Sequence, residues 1–334
     1  MASTYLTLVN NVLRDMNEVE LTSSNFTSSR GVQTTVKDYI NRAISDILNS
    51  ELNWPFTRAE GSVDAIAGKQ LYSFASIAST LKYIDYDNVF LQPKDYIRNG
   101  DFEIAGSASI TNWTAVSGTP AASSKFGNTL LLTSAKATQQ IDDLIVGKSY
   151  VVLVQTSGST LTLDIGTSSG GTQTKSSTLT IASGNEVLLS EVTFTATATT
   201  HYVTFTESAG SAAFVKLVQL MENITAIPLK YLSYEEYNEK FRERDTRPDT
   251  DKFADPEFVY TTYNDELGLT PIPDTSNRTL KFDYYVTNTD LSAHDDTGII
   301  PTRFESIVNA RAKYYTYMFR SDVQTAQYAL KEYE

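Results

Sequence analysis

Cysteine is absent from all 334 residues. That excludes disulfides, thiolate metal sites and cysteine nucleophiles, so the chain folds on packing alone. Histidine is nearly absent too: His201 and His294 lie far apart in sequence. A Ser–His–Asp triad needs its base within hydrogen-bond reach of both partners. No G-x-S-x-G, H-E-x-x-H or Walker-type loop accompanies either histidine, so both read as structural. No run approaches the roughly 18 apolar residues of a membrane span. The opening MASTYLTLVNNVLRDMNEVE lacks the basic region and apolar block of a signal peptide, and a cytoplasmic setting is expected. Positive charge is in deficit: 27 Lys and Arg against 40 Asp and Glu leave a net charge of −13. A protein that grips nucleic acid phosphates shows a basic excess or stripe. Here the acidic balance implies solubility, or a surface that DNA passes without sticking.

The deficit is sharpest between Asn99 and Glu222, which hold five Lys and no Arg amid runs of Ser, Thr, Gly and Ala. Eighteen of the twenty Tyr lie outside that stretch. A composition break with two edges suggests one domain inserted into another. The boundaries follow: residues 1–97 and 224–334 as one discontinuous domain, and 98–223 as the insert.

What is present sorts by period. Tyr5, Leu6, Val9, Val12, Leu13 and Met16 form a helical stripe over 4–17, and Val32, Val36, Tyr39, Ile40, Ala43, Ile44, Ile47 and Leu48 form another over about 30–52. Two helices make a thin core and need a third partner. Pro55 ends the second. Short β-type runs follow: FTRAEGSV, KQLYSF and LKYIDYDNVFL. The middle segment is a series of short strand-like runs with turns every eight to twelve residues, which indicates a sandwich or barrel. After it, LKYLSYEEYNEKFRERD opens a helix with Ser233 as N-cap and Glu236 at capping-box spacing. FVYTTYN, ELGLTPIP and RTLKFDYYVT form a strand meander. A helix near Thr302 or Arg303 and another near Ser321 close the chain and supply the missing partner. LKYIDY and LKYLSY, flanking the insert, are alike either by coincidence of strand composition or through an old pairing relation.

Few constellations carry chemistry. Asp245, Asp249, Asp251 and Asp255 share a loop that lacks the EF-hand order, and a solvated loop bridged to Arg244 and Arg247 is the plainer reading. The run KYYTYMFR is the densest aromatic patch, and Tyr and Arg favour buried interface anchors. Candidate interface residues are Arg242, Arg244, Arg247, Tyr314, Tyr317, Met318, Arg320, Tyr328 and Tyr333. A large internal core is the alternative for the helical ones.

The flanks resemble the head-to-tail adaptor proteins of short-tailed bacteriophages, the group that includes tail tubular protein A. The likeness rests on YLTLVNNVLRDMNEVE, VQTTVKDYINRAISDILNSELNWPF, LKYLSYEEYNEKFRERD and TRFESIVNARAKYYTYMFRSDVQTAQY. It implies a homo-oligomeric ring, usually of twelve copies, between the portal protein and the tail nozzle protein. It implies DNA only as a transient passenger, no enzyme activity, no cofactor, no membrane, and a place in the virion neck after assembly in the host cytoplasm. The insert resembles carbohydrate-binding jelly-roll modules through NGDFEIAGSASITNWTA and AFVKLVQL. That likeness makes Asp101 and Glu103 weak calcium candidates, with Lys216 standing where another acidic ligand is expected. It makes Trp113, Phe126, Tyr150 and Tyr202 the candidates for stacking on sugar, with a core role the plainer one for Trp113. The expected fold class is α+β: a helical bundle from both chain ends with a small β-sheet, plus an inserted all-β jelly-roll sandwich. The competing function is a carbohydrate-binding or adhesive virion protein acting through the insert.

Overall fold

The computed structural model describes residues 3–51, 53–179, 187–248 and 250–333. Seven α-helices occur among them: α1 (Tyr5–Asp15), α2 (Val32–Ser50), α3 (Phe74–Ile77), α4 (Tyr234–Lys240), α5 (Arg242–Thr246), α6 (Glu305–Phe319) and α7 (Val323–Tyr333). Helix α1 starts where the Thr4 side chain accepts the Thr7 N–H, at 3.3 Å. It buries Tyr5, Leu8, Val9, Val12 and Leu13, the three-and-four spacing of its stripe. Helix α2 follows Gly31, whose φ of 59° is a left-handed conformation that glycine adopts freely.

One apolar core draws on both ends of the chain. Val12, Leu13, Ile40 and Ile44 from α1 and α2 pack with Leu291, Ile300, Val308 and Ala312. Each fully buried aliphatic side chain contributes about 1.5–3 kcal/mol, so either end alone would leave much of that energy unrealised. Polar contacts join the same partners. The Ser3 N–H and hydroxyl donate to Glu305, and the Tyr5 N–H donates to the Asp296 carbonyl. Asn41 donates to the Leu291 carbonyl at 3.0 Å and accepts its N–H at 3.0 Å. Asp46 on α2 accepts from Arg311 and from the Tyr315 hydroxyl on α6.

Two four-stranded sheets share a second core that includes Tyr72, Val89, Leu91, Leu267, Leu269, Leu280 and Phe282. The first runs in the order Arg58–Ala65, Arg278–Val286, Leu81–Pro93, Ile227–Pro228, with every neighbour antiparallel. The second runs Lys230–Tyr231, Phe258–Thr261, Glu266–Thr270, Leu71–Ser73, its first pair parallel. The expected meander over 258–286 is therefore divided. Arg278–Val286 leaves its predecessors and slots between Arg58–Ala65 and Leu81–Pro93. Those longer partners give it two full ladders, and its alternating Leu280 and Phe282 face the core while Lys281 is exposed.

Strands between Thr114 and Glu222 build a β-sandwich. One sheet has the order Leu188–Thr195, Ser149–Gly158, Ala213–Glu222, Thr129–Leu132, Ala121–Ser123. The other has the order Lys175–Leu179, Leu161–Gly166, His201–Thr206, Lys136–Ile141, Thr114–Ser117. All the pairs are antiparallel, and most successive strands cross from one sheet to the other, as in a jelly roll. Their inner faces carry Tyr150, Val152, Leu163, Val203, Phe205 and Leu220, all fully buried. The chain leaves for the sandwich after Leu81–Pro93 and returns by Ile227–Pro228, where Leu91 lies opposite Ile227. At the junction the Tyr96 N–H donates to the Leu220 carbonyl at 2.9 Å, and buried Glu222 accepts from Asn277 and pairs with Lys148 at 3.5 Å.

Candidate functional site

The residues singled out for chemistry are mostly structural. His201 is fully buried, and burial holds its pKa below the ordinary 6.5. The His294 carbonyl accepts the Leu6 N–H, tying that loop to α1. In the acidic loop, Asp245 has a fully buried carboxylate that accepts from Arg244, Gln70 at 2.9 Å and Thr270 at 2.7 Å. Asp255 pairs with Arg278 at 2.8 Å, and Asp249 lies outside the described residues. No group of three or more His, Asp or Glu is placed to hold a metal among the described residues. Asp101 and Glu103 are both exposed, and Glu103 accepts from Asn128 at 2.7 Å.

Two of the four sugar-stacking candidates need correction. Trp113 is 6% exposed and packs on Phe102 and Phe205, and Tyr150 is fully buried against Phe194. Neither offers a ring face to a ligand, because both fill the sandwich core. Phe126 and Tyr202 are half-buried. Phe126 packs edge-on against Phe214 under Lys125, and the Tyr202 hydroxyl donates to Gln140 at 3.0 Å.

The interface candidates divide likewise. Arg244 is spent within the chain, on Asp245 and Thr270. Arg247 pairs with Glu243, and Arg242 is exposed with a long contact to Asn238. Arg320 pairs with Glu18. Tyr314 and Tyr333 lie under Arg311, which also covers Tyr315, and Tyr317 packs against the first core. Met318, 43% exposed, and Tyr328, 63% exposed, remain open with Phe319 and Val323 around the turn between α6 and α7. The crowded sides of α6 are thus filled largely by α2 and α7: Ala310, Ala326 and Ala329 are all buried.

A larger aromatic surface lies on the sheets, and sequence reasoning passed over it. Eight tyrosines from four segments meet there. Tyr285 stacks on Tyr83, which meets Tyr86 edge-on, and Tyr86 lies 4.1 Å from Tyr231. The Tyr86 hydroxyl bonds Thr261, beside a second group in which Tyr237 stacks on Tyr260 at 3.9 Å and Tyr234 meets Tyr263 at 4.9 Å. Tyr260 can lie flat because it faces Gly268 across the strands; a Cβ there would sit 2.2 Å from the ring. Tyr83, Tyr231 and Tyr263 are 42%, 47% and 77% exposed. The Tyr263 hydroxyl donates to Glu235, a bond that holds that carboxylate below its usual range. The one sequence signal was the likeness of LKYIDY to LKYLSY, whose Tyr86 and Tyr231 touch across the two segments.

Comparison with known proteins adds one family. The family model described as SU10 adaptor protein matches residues 178–334. The match takes in the last sandwich strands, the α4–α5 segment, the strands from Phe258 to Val286 and both C-terminal helices. It covers just under half of the chain. Among curated proteins, none matches this sequence. Solved structures with similarity include a family 61 carbohydrate-binding module, TmCBM61, solved with β-1,4-galactotriose. It is 18% identical with a TM-score of 0.30, over 39% of this chain and 99% of that one. A putative sugar binding protein from Bacteroides thetaiotaomicron is 11% identical with a TM-score of 0.30, over 39% and 100%. Tailspike protein 4 of bacteriophage CBA120 is 16% identical with a TM-score of 0.31, over 38% of this chain and 21% of that chain. Among the described residues no helix is long and apolar enough to cross a membrane.

Proposed function

We propose that this protein is a structural component of a bacteriophage virion: an adaptor that forms a ring between the portal and the tail nozzle and lines part of the DNA channel. It is not an enzyme. The observation that carries this reading is the match of residues 178–334 to the SU10 adaptor family. Two further features support it. The helices of the two chain ends share one core, which suits a discontinuous adaptor domain over residues 1–97 and 224–334, a helical bundle with a small β-sheet. Exposed tyrosines and apolar side chains at the α6–α7 turn and on the sheets supply the kind of residues that anchor protein interfaces. Residues 98–223 form a passenger domain on the outside of the ring.

A closed ring requires heterologous contacts, in which one face of each copy complements a different face of the next. With a net charge of −13, the channel wall of such a ring carries acidic residues, and like charge lets DNA slide past. The test is the mass and symmetry of the isolated protein, with and without purified portal, by native mass spectrometry and electron microscopy. A ring of about twelve copies stacked on the portal is expected. A persistent monomer that ignores the portal overturns the reading, and a strongly basic lumen overturns the account of DNA passage.

A further inference from the structure

The outer face of the sandwich sheet that holds His201–Thr206 carries a row of polar side chains that solvent scarcely reaches. Asp164, Thr204 and Thr138 lie opposite one another on three adjacent strands, while Leu163, Val203 and Ala137 on the same strands face the sandwich core. All three polar residues are buried, although they point away from that core. The cover is the connection from Leu161–Gly166 to Lys175–Leu179. It leaves over Gly166, where a Cβ would sit 2.5 Å from the Gly171 carbonyl group. Its tip reaches the next strand but one. A Cβ on Gly170 would sit 3.2 Å from the Lys136 stem and from Val116, and the Lys136 ammonium donates to the Gly170 carbonyl at 2.8 Å. Gly166 pairs with Tyr202 and Lys136 with Thr206, so the crossing passes over Thr204, which lies between them.

Little holds this segment down. Residues 167–174 read TSSGGTQT, with no large apolar side chain, so covering the row buries little apolar surface. The Gln173 amide closes the turn on itself, accepting from the Thr167 N–H at 3.2 Å and donating to the Ser168 hydroxyl at 3.1 Å. Among the described residues, Lys136 is the one side chain of the sheet that bonds the tip. The floor is satisfied without its cover: Thr138 and Thr204 share a hydrogen bond at 2.8 Å, and the Ser176 hydroxyl donates to Asp164 at 2.6 Å. A polar floor with its own partners loses little on hydration, and a segment with few buried apolar contacts opens locally. Gly166 itself has strand backbone that any residue adopts, so its missing side chain is explained by the segment above it. We propose that residues 167–174 are a strap, latched by Lys136, that shuts the outer face of this sheet and opens without unfolding the sandwich. Any ligand of that face must first displace it. The strap concerns the insert alone and stands or falls apart from the ring reading.

The full chain has no cysteine, so Thr204→Cys places a single thiol beneath the strap. Its alkylation by iodoacetamide, followed by mass spectrometry, is expected to be slow beside that of Ser169→Cys, a position exposed on the strap itself. It is also expected to be nearly insensitive to low urea, because a local opening exposes little surface. Lys136→Met keeps the stem and removes the ammonium, and Gly166→Ala crowds the strap from below. Adding either change to Thr204→Cys is expected to speed labelling about tenfold with the circular dichroism unchanged, the size of effect that loss of one hydrogen bond from a charged donor produces. Amide exchange across residues 166–175, in chains that keep Thr204, is expected to rise with the same two changes. A thiol at position 204 that reacts as fast as one at 169, labelling that neither change accelerates, or labelling that climbs steeply with urea as global unfolding does each overturn the strap. If Thr204→Cys fails to fold, amide exchange decides: protection of the strap that both changes leave unaltered overturns the proposal.

Discussion

His201 shows what a lone histidine in a sandwich core does. It is fully buried, its ring lies 5.6 Å from that of Phe194, and its Nδ1 has no partner among the described residues. Burial disfavours the charged form, so the folded pKa lies below 6.5. The unfolded chain then binds the proton more readily than the folded one. Stability from this group is complete above about pH 6.5 and is lost as pH falls through the folded value. The denaturation midpoint of the wild type is expected to drop between about pH 7 and 5, and that of His201→Phe to drop less; equal slopes in urea titrations would contradict this. Gly268 makes a second point at this scale. A methyl group there collides with the Tyr260 ring that covers it, so Gly268→Ala is expected to cost about 1–3 kcal/mol by thermal or chemical unfolding. Neither effect is visible in the residue's own letter. His201 looked structural because no motif accompanied it, but the ring above Gly268 arrives from another strand.

Helix α4 is an element whose local sequence decided its start. The Ser233 hydroxyl accepts the Glu236 N–H at 3.2 Å and the Glu236 carboxylate accepts the Ser233 N–H at 3.3 Å, a complete capping box. Ser233→Ala is expected to lower stability by about 1 kcal/mol and to loosen the first turn, measured by chemical denaturation and by amide exchange of residues 234–237. Looser turn geometry would also displace Glu235. The strands were legible in the same way, because Val192 and Phe194 alternate with exposed Glu191, Thr193 and Thr195. Helix α6 was less so. Val308 and Ala312 face the α1–α2 core, Ala310 is buried as well, and the helix carries no single apolar stripe. A helix covered on two sides spreads its small and aromatic residues around its circumference. That is why Tyr314 and Tyr317 looked free for a partner when Arg311 and the core already hold them.

At the scale of the whole molecule, the two crossings into the sandwich leave and re-enter on neighbouring strands, with Leu91 opposite Ile227 and Phe90 opposite Pro228. A short splice therefore spans the gap. Removing residues 98–223 and joining Ile97 to Ile224 is expected to leave a folded protein that still assembles. The cost falls on the junction, where Asn277, Arg278 and Asp95 lose or rearrange partners such as Glu222 and the Leu220 N–H. Circular dichroism and sedimentation of the deletion check this. A folded deletion that no longer binds portal would show that the sandwich belongs to the interface and is not a passenger.

The sequence by itself determined the local elements, since each depends on neighbours a few residues away: the stripes of α1 and α2, the capping box, the alternating strands and the turns between them. It also marked the edges of the basic-poor stretch, because composition is a property of the chain alone. The tertiary structure decided which elements share a core. It placed Arg278–Val286 between two strands distant in sequence, buried Trp113 and Tyr150, brought Gln70 and Thr270 onto Asp245, and gathered tyrosines from four segments onto one surface. Those outcomes turn on which partner offers the longer ladder, the drier pocket or the nearer charge, and such partners are chosen only when distant parts of the chain meet.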